Sequence, residues 1–174
     1  AVNYDKSAIL NKAVELSALG QHDKALQIVN GNIKGYGTRT YTVQGNVRHN
    51  AGMPLSAIES YKYAIESEDA FILPITNAIN CCDELTRPDL LDPFMQVLQR
   101  DWTENPNAQL SLARATAMQG KHNDANQIYQ SLLVQNNKYL NPDDLFASLN
   151  GEAEDLTLFG SADIVHYKKF AESL

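Results

Sequence analysis

Three kinds of residue in this chain have the chemistry for catalysis or metal binding: its histidines, a pair of cysteines and two runs of carboxylates. His22 and His122 each stand two residues after a glycine, which suggests a matched pair. They are far apart in the chain, however, and share only the turn position of a repeated unit, so surface turns account for them. His49 and His166 have no Cys or His at ligand spacing. Cys81 and Cys82 are adjacent, so a bridge between them would be strained, and a second pair of zinc ligands is missing. The runs Glu66-Ser67-Glu68-Asp69 and Glu152-Ala153-Glu154-Asp155 would need a pocket that drives their pKa values apart before they could do acid/base work. They read as solvated faces or helix ends. No glycine-rich phosphate loop, nucleophile-elbow serine or H-E-x-x-H helix is present. The expectation is a non-enzyme with no catalytic residue, metal or cofactor.

Composition narrows the partners. With 174 residues, 44% of them apolar and 20% charged, the chain is suited to a single folded domain, expected over 1–174. Its 21 acidic and 14 basic residues give a net charge of −7, which opposes binding to phosphate backbones and anionic membranes. The basic residues are dispersed, Lys168-Lys169 being the only adjacent pair, so no nucleic-acid groove is expected. No apolar run approaches the about 18 residues of a membrane span. The chain starts at Ala1 without Met, which fits a removed signal peptide, a processed lipoprotein or an excised segment. The compartment, cytoplasmic or periplasmic, therefore stays open.

The elements that must position any site emerge when the chain is aligned with itself. Leu16 to Leu26, Arg48 to Ile58 and Thr116 to Asn126 each carry a Gly (Gly20, Gly52, Gly120) followed five residues later by an Ala (Ala25, Ala57, Ala125). Gly ends one helix where the backbone turns left-handed, and Ala lets the next helix approach its neighbour closely. Four residues past each Ala stand Val29, Tyr61 and Tyr129 on the same helical face. The spacing from Gly20 to Gly52 is 32 residues and from Gly52 to Gly120 it is 68, so a hidden unit must lie between them. Its turn falls near Thr86, Leu91, Met95 and Leu98 take its packing places, and Pro88 and Pro93 sit near the start of its second helix.

This pattern resembles the tetratricopeptide repeat, a helix-turn-helix of about 34 residues with small residues at its eighth and twentieth positions. With the turn Gly as position fifteen, the eighth positions are Ala13, Gly45, Ile79 and Ala113, and the twentieth are Ala25, Ala57, Leu91 and Ala125. The family's aromatic at the fourth position survives only as Tyr41. The resemblance implies an all-α solenoid of helical hairpins in a right-handed superhelix. Its repeats fall at about 6–37, 38–71, 72–105 (degenerate) and 106–139. Asn141-Pro142-Asp143-Asp144 then starts a helix with Leu145, Leu149, Leu156 and Phe159 apolar, and a second follows from about Ser161. The pair 141–174 is either a divergent fifth repeat or, as favoured by its missing small residues, a terminal cap.

In such a stack the first helix of each unit lines a concave groove, which in this family usually takes an extended peptide or a helix from a partner. The second unit would present Arg39, Thr42, Val43, Asn46 and His49, the third Thr76, Asn77, Asn80 and Asp83, and the fourth Asn107, Leu110, Ser111 and Arg114. Asn11, Asn46, Asn77 and Asn80 form a ladder of amides, each able to donate to and accept from a peptide backbone. Asn is also common on surfaces, and this chain is rich in it throughout. Arg39 and Arg114 are the charged candidates for an acidic partner side chain, or else solvated cations. One subset of the family clamps chaperone C-termini with two Asn and three cations. Asn46 and Asn77 match its amides, but Thr42, Asn107 and Ser111 stand where cations are needed, so no such binding is expected.

The site expected from sequence is thus Arg39, Thr42, Asn46, Asn77, Asn80 and Arg114, in an adaptor or assembly factor that binds an extended protein segment. The alternative is a structural or self-associating subunit of a larger assembly, such as a secretion or pilus machine, that docks through its convex or terminal faces.

Overall fold

The computed structural model describes residues 2–32, 37–67 and 71–135, together with positions 169, 172 and 173. The expected helix pair at 141–174 lies outside the described residues apart from those three positions. Eight α-helices run through the described residues: α1 (Val2–Ala18), α2 (His22–Gly31), α3 (Gly37–Asn50), α4 (Pro54–Ile65), α5 (Ile72–Glu84), α6 (Asp92–Asp101), α7 (Pro106–Met118) and α8 (His122–Gln135). A single 3-10 turn, Pro88–Leu90, precedes α6. The fold is all-α, in hairpins of the tetratricopeptide type.

Each hairpin turn is the same hydrogen-bonded device. Gly20, Gly52 and Gly120 have φ of +77°, +77° and +81°. In the first turn the Gly20 N–H donates to Ser17 O and the Gln21 N–H to Leu16 O; His49 and Arg48 accept likewise in the second, and Ala117 and Thr116 in the last. This double capping of a helix C-terminus needs one left-handed residue, which Gly supplies without steric cost. The degenerate unit repeats the pattern, with Thr86 donating to Asp83 O and Arg87 to Cys82 O. There the left-handed residue is a threonine, at φ +54°. The turn thus keeps its form although its glycine is missing. The start of the second helix differs: α2, α4 and α8 begin two residues after their glycine, whereas the 3-10 turn at Pro88 delays α6 to Asp92.

By its contacts the chain divides into two compact units, Ala1–Leu90 and Leu91–Leu174. In the first, α1, α3 and α5 form an inner layer, α1 touching α3 and α3 touching α5. On the other side α2 packs on α1 and α3, and α4 on α3 and α5. The repeat's small residues set these distances. Ala13, Ala25 and Ala57 are fully buried, and Leu10, Val29, Val43 and Val47 fill the space around the first two. At Gly45 the approach is closest: a Cβ there would come within 2.7 Å of Tyr61 Cδ1 and 2.8 Å of its Cζ. The absence of a side chain lets the buried Tyr61 ring approach the α3 backbone closely. Tyr41, at the family's aromatic position, stacks on Tyr63 of α4 with ring centroids 5.3 Å apart.

In the second unit α7 packs on α8 and, along a shorter seam, on α6. Asn105 caps α7, its side chain accepting from the Ala108 N–H at 3.1 Å, with Pro106 in the first turn. Phe94, Leu98, Ala113 and Ala125 are buried.

Candidate functional site

The inner layer of the first unit brings Asn46 and Asn77 together. They stand on α3 and α5, and Asn77 Nδ2 donates to Asn46 Oδ1 over 2.9 Å. The same oxygen accepts from the Tyr61 hydroxyl at 2.8 Å. Burial holds the Tyr61 phenol neutral and pushes its pKa far up, the charge of a Cys81 thiolate acting in the same sense. A hydrogen bond from Asn77 pulls weakly the other way. Both lone-pair directions of Asn46 Oδ1 are therefore used by fixed donors. This leaves Asn46 Nδ2 as donor and Asn77 Oδ1 as acceptor, neither engaged among the described residues. Both residues are half-buried, as is Asn80 one turn further along α5.

Arg39, two turns before Asn46 on α3, is exposed and reaches across to α1. Its Nη1 donates to Ser7 Oγ at 3.1 Å and its Nη2 approaches Asn11 Oδ1 at 3.5 Å. At the other end of α3, His49 Nε2 meets Glu84 Oε2 of α5 at 2.6 Å. These contacts join α1, α3 and α5 across the inner layer.

Two of the six expected site residues are placed differently. Thr42 is 2% exposed and its hydroxyl donates to Thr38 O at 2.6 Å, one turn back in its own helix, so it faces the interior. Arg114 is 3% exposed, and Leu110 and Ser111 beside it are also buried, so this stretch of α7 offers no open face. Helical phase alone put all of these on the groove. Other polar links are invisible to helical phase. Gln44 donates to Asn30 Oδ1 and accepts from Ser60 Oγ, which in turn accepts from Arg48, tying α2, α3 and α4. Tyr61 reads from sequence as packing alone. Its hydroxyl four residues past Ala57, in the unit whose eighth position is Gly, was the available signal.

The other candidates have structural roles. Ser17 Oγ accepts from Asn50 Nδ2 at 3.1 Å and lies 3.4 Å from His22 Nδ1, tying the first two turns. His122 is exposed on α8. Cys81 and Cys82 are free and fully buried. Burial pushes their thiols up to about 12 and about 11, assisted by Glu84 for Cys81 and by Asp89 for Cys82, so they are poor nucleophiles. Among the described residues there is no metal-ligand cluster, and no helix is long and apolar enough to cross a membrane. The second unit has a cleft of about 480 Å³ between α6 and α8, lined by Gln99, Gln109, Lys121, Asp124, Gln127 and Ile128.

Helical hairpins closed by left-handed turns, with small residues where helices cross, define a tetratricopeptide-like fold, a class that generally binds proteins or peptides and is typically non-catalytic. The chain is similar in structure to YrrB, described as a TPR protein with an unusual peptide-binding site. The TM-score is 0.56 at 16% sequence identity, over 95% of this chain and 91% of that one. No family model matches the sequence. No curated protein matches it either.

Proposed function

We propose that this protein is an adaptor or assembly factor that holds an extended, internal segment of a partner protein across α1, α3 and α5. The observation that carries this reading is the Asn46–Asn77 pair. Their mutual hydrogen bond and the buried Tyr61 hydroxyl fix both amides, leaving one donor and one acceptor side by side. A peptide backbone offers a complementary carbonyl and N–H at every residue, so such a pair recognises an extended chain with little regard to its side chains. Rigid amides also lose little rotamer freedom on binding. The peptide-binding site attributed to YrrB fits the same reading. Arg39 and Asn80 flank the pair, whereas Thr42 and Arg114 are left out because they are buried.

The test is affinity capture with wild type and with an Asn46→Ala, Asn77→Ala, Asn80→Ala variant, each shown by circular dichroism to be folded at the temperature used. Loss of the captured partner by the variant is the expected result. Unchanged capture would count against the groove. A second reading, docking through the outer helices, draws on Leu55 and Tyr63 of α4, which are 51% and 55% exposed. Sedimentation velocity of wild type and Tyr63→Ser distinguishes it, since self-association through this face would weaken in the variant.

A further inference from the structure

Among the arginines, Arg39 has an unusual setting. Arg87 is paired with Asp89 at 2.6 Å and Arg100 with Asp101 at 2.7 Å, so their charges are neutralised by near neighbours. Arg48 is half-buried against Ser60 and a backbone carbonyl. Arg39 alone of these four is exposed and held only by neutral oxygens, those of Ser7 and Asn11, with no carboxylate within ion-pair distance among the residues whose side chains are described. In a chain of net charge −7, a cation held in place but not neutralised is selective for an anion from outside.

Its position relative to the amide pair gives that anion an address. Arg39 precedes Asn46 by seven residues, so it lies about 10 Å away along the axis of α3. It also leans toward α1, whereas Asn46 leans toward Asn77 on α5. Neighbouring helices are about 10 Å apart, so the two points are separated by a diagonal of about 14 Å. An extended chain advances about 3.3 Å per residue and covers that diagonal in about four residues. We infer that the partner segment carries an Asp or Glu about four residues from the peptide group gripped by Asn46 and Asn77, and that Arg39 selects it. This rests on the groove reading proposed above and adds the direction and charge of the ligand: the segment runs obliquely over α3, acidic toward α1.

The probe is a phage-displayed library of random dodecapeptides, panned on wild type, Arg39→Gln, Arg39→Glu and the Asn46→Ala, Asn77→Ala variant. Enriched peptides are then synthesised with a fluorescent label and titrated by anisotropy. Wild type is expected to enrich a single acidic position. Arg39→Gln weakens the consensus peptide about two- to fivefold, in keeping with an exposed ion pair. Replacing the acid of the peptide by its amide costs wild type the same factor and costs Arg39→Gln nothing further, and Arg39→Glu turns the preference toward Lys or Arg. If the selected peptides need Asn46 and Asn77 but bind Arg39→Gln as tightly as wild type, the groove stands and the Arg39 inference falls. If no peptide enriches, or if the peptides bind the Asn46→Ala, Asn77→Ala protein unchanged, both are overturned.

Discussion

Asn46 of α3 accepts, at one side-chain oxygen, both the Asn77 amide of α5 at 2.9 Å and the buried Tyr61 hydroxyl of α4 at 2.8 Å. Three helices therefore converge on one atom. The arrangement is asymmetric in its energetics: the phenol is sunk in the core and needs its acceptor, while Asn46 would keep Asn77 if the phenol were gone.

Removing the hydroxyl should accordingly cost less than removing the amide. Tyr61→Phe is expected to lower unfolding free energy by about 0.5–1.5 kcal/mol, the net value of one hydrogen bond. Asn46→Ala leaves the buried hydroxyl without its acceptor, at about 1–3 kcal/mol. Urea unfolding of both proteins measures the order, and equal losses would mean that the hydroxyl finds another acceptor.

The Gly45–Tyr61 approach predicts overpacking. Gly45→Ala gains up to about 1 kcal/mol in helix propensity. It also places a methyl group against the Tyr61 ring, where the α3–α4 seam must part, and a net loss of about 1–3 kcal/mol is expected. In a Tyr61→Leu background the same change should cost less. Chemical denaturation of the four proteins closes this cycle.

Turn strain gives a prediction of opposite sign. Thr86 holds a φ of +54°, which costs a residue with a side chain about 1–2 kcal/mol. Thr86→Gly relieves that strain and loses part of the gain to unfolded-chain entropy, so thermal unfolding should shift upward, by about 0.5–1 kcal/mol at the midpoint. Gly52→Ala should shift it downward by a similar amount. Nothing lies within 4 Å of a Cβ at Gly52, so that loss would come from the backbone alone.

Alkaline pH should destabilise the fold. Burial raises the Cys81 and Cys82 thiols from 9.0 to about 12 and about 11, so the unfolded chain gives up these protons first as pH rises. Their contribution is complete below about pH 9 and is lost as pH climbs toward 11 and 12. Urea midpoints measured at pH 7.5, 9 and 10.5 should be flat and then fall. Native protein should react with an aromatic disulfide reagent only at the rate of unfolding.

The hairpins were legible in the sequence because their causes are local. A left-handed residue after a helix and a small residue five places later act within one turn of chain, so Gly20, Gly52 and Gly120 with Ala25, Ala57 and Ala125 mark them directly. Even the Thr86 turn followed from the spacing of its neighbours. Helical phase also placed Asn46 and Asn77 on adjoining inner faces. It could not say which residues on those faces meet solvent, and so Thr42 and Arg114 were assigned to a surface from which both are buried. Nor could it find the partners, because the residues concerned are remote: Tyr61 lies 15 positions from Asn46, Asn77 lies 31 from it, and Ser7 lies 32 from Arg39. Backbone conformation follows from neighbouring residues, whereas burial and hydrogen-bond pairing depend on side chains brought in from other helices. Only the tertiary structure decided that Asn46 Oδ1 accepts from both Tyr61 and Asn77, and that Arg39 meets the neutral oxygens of Ser7 and Asn11.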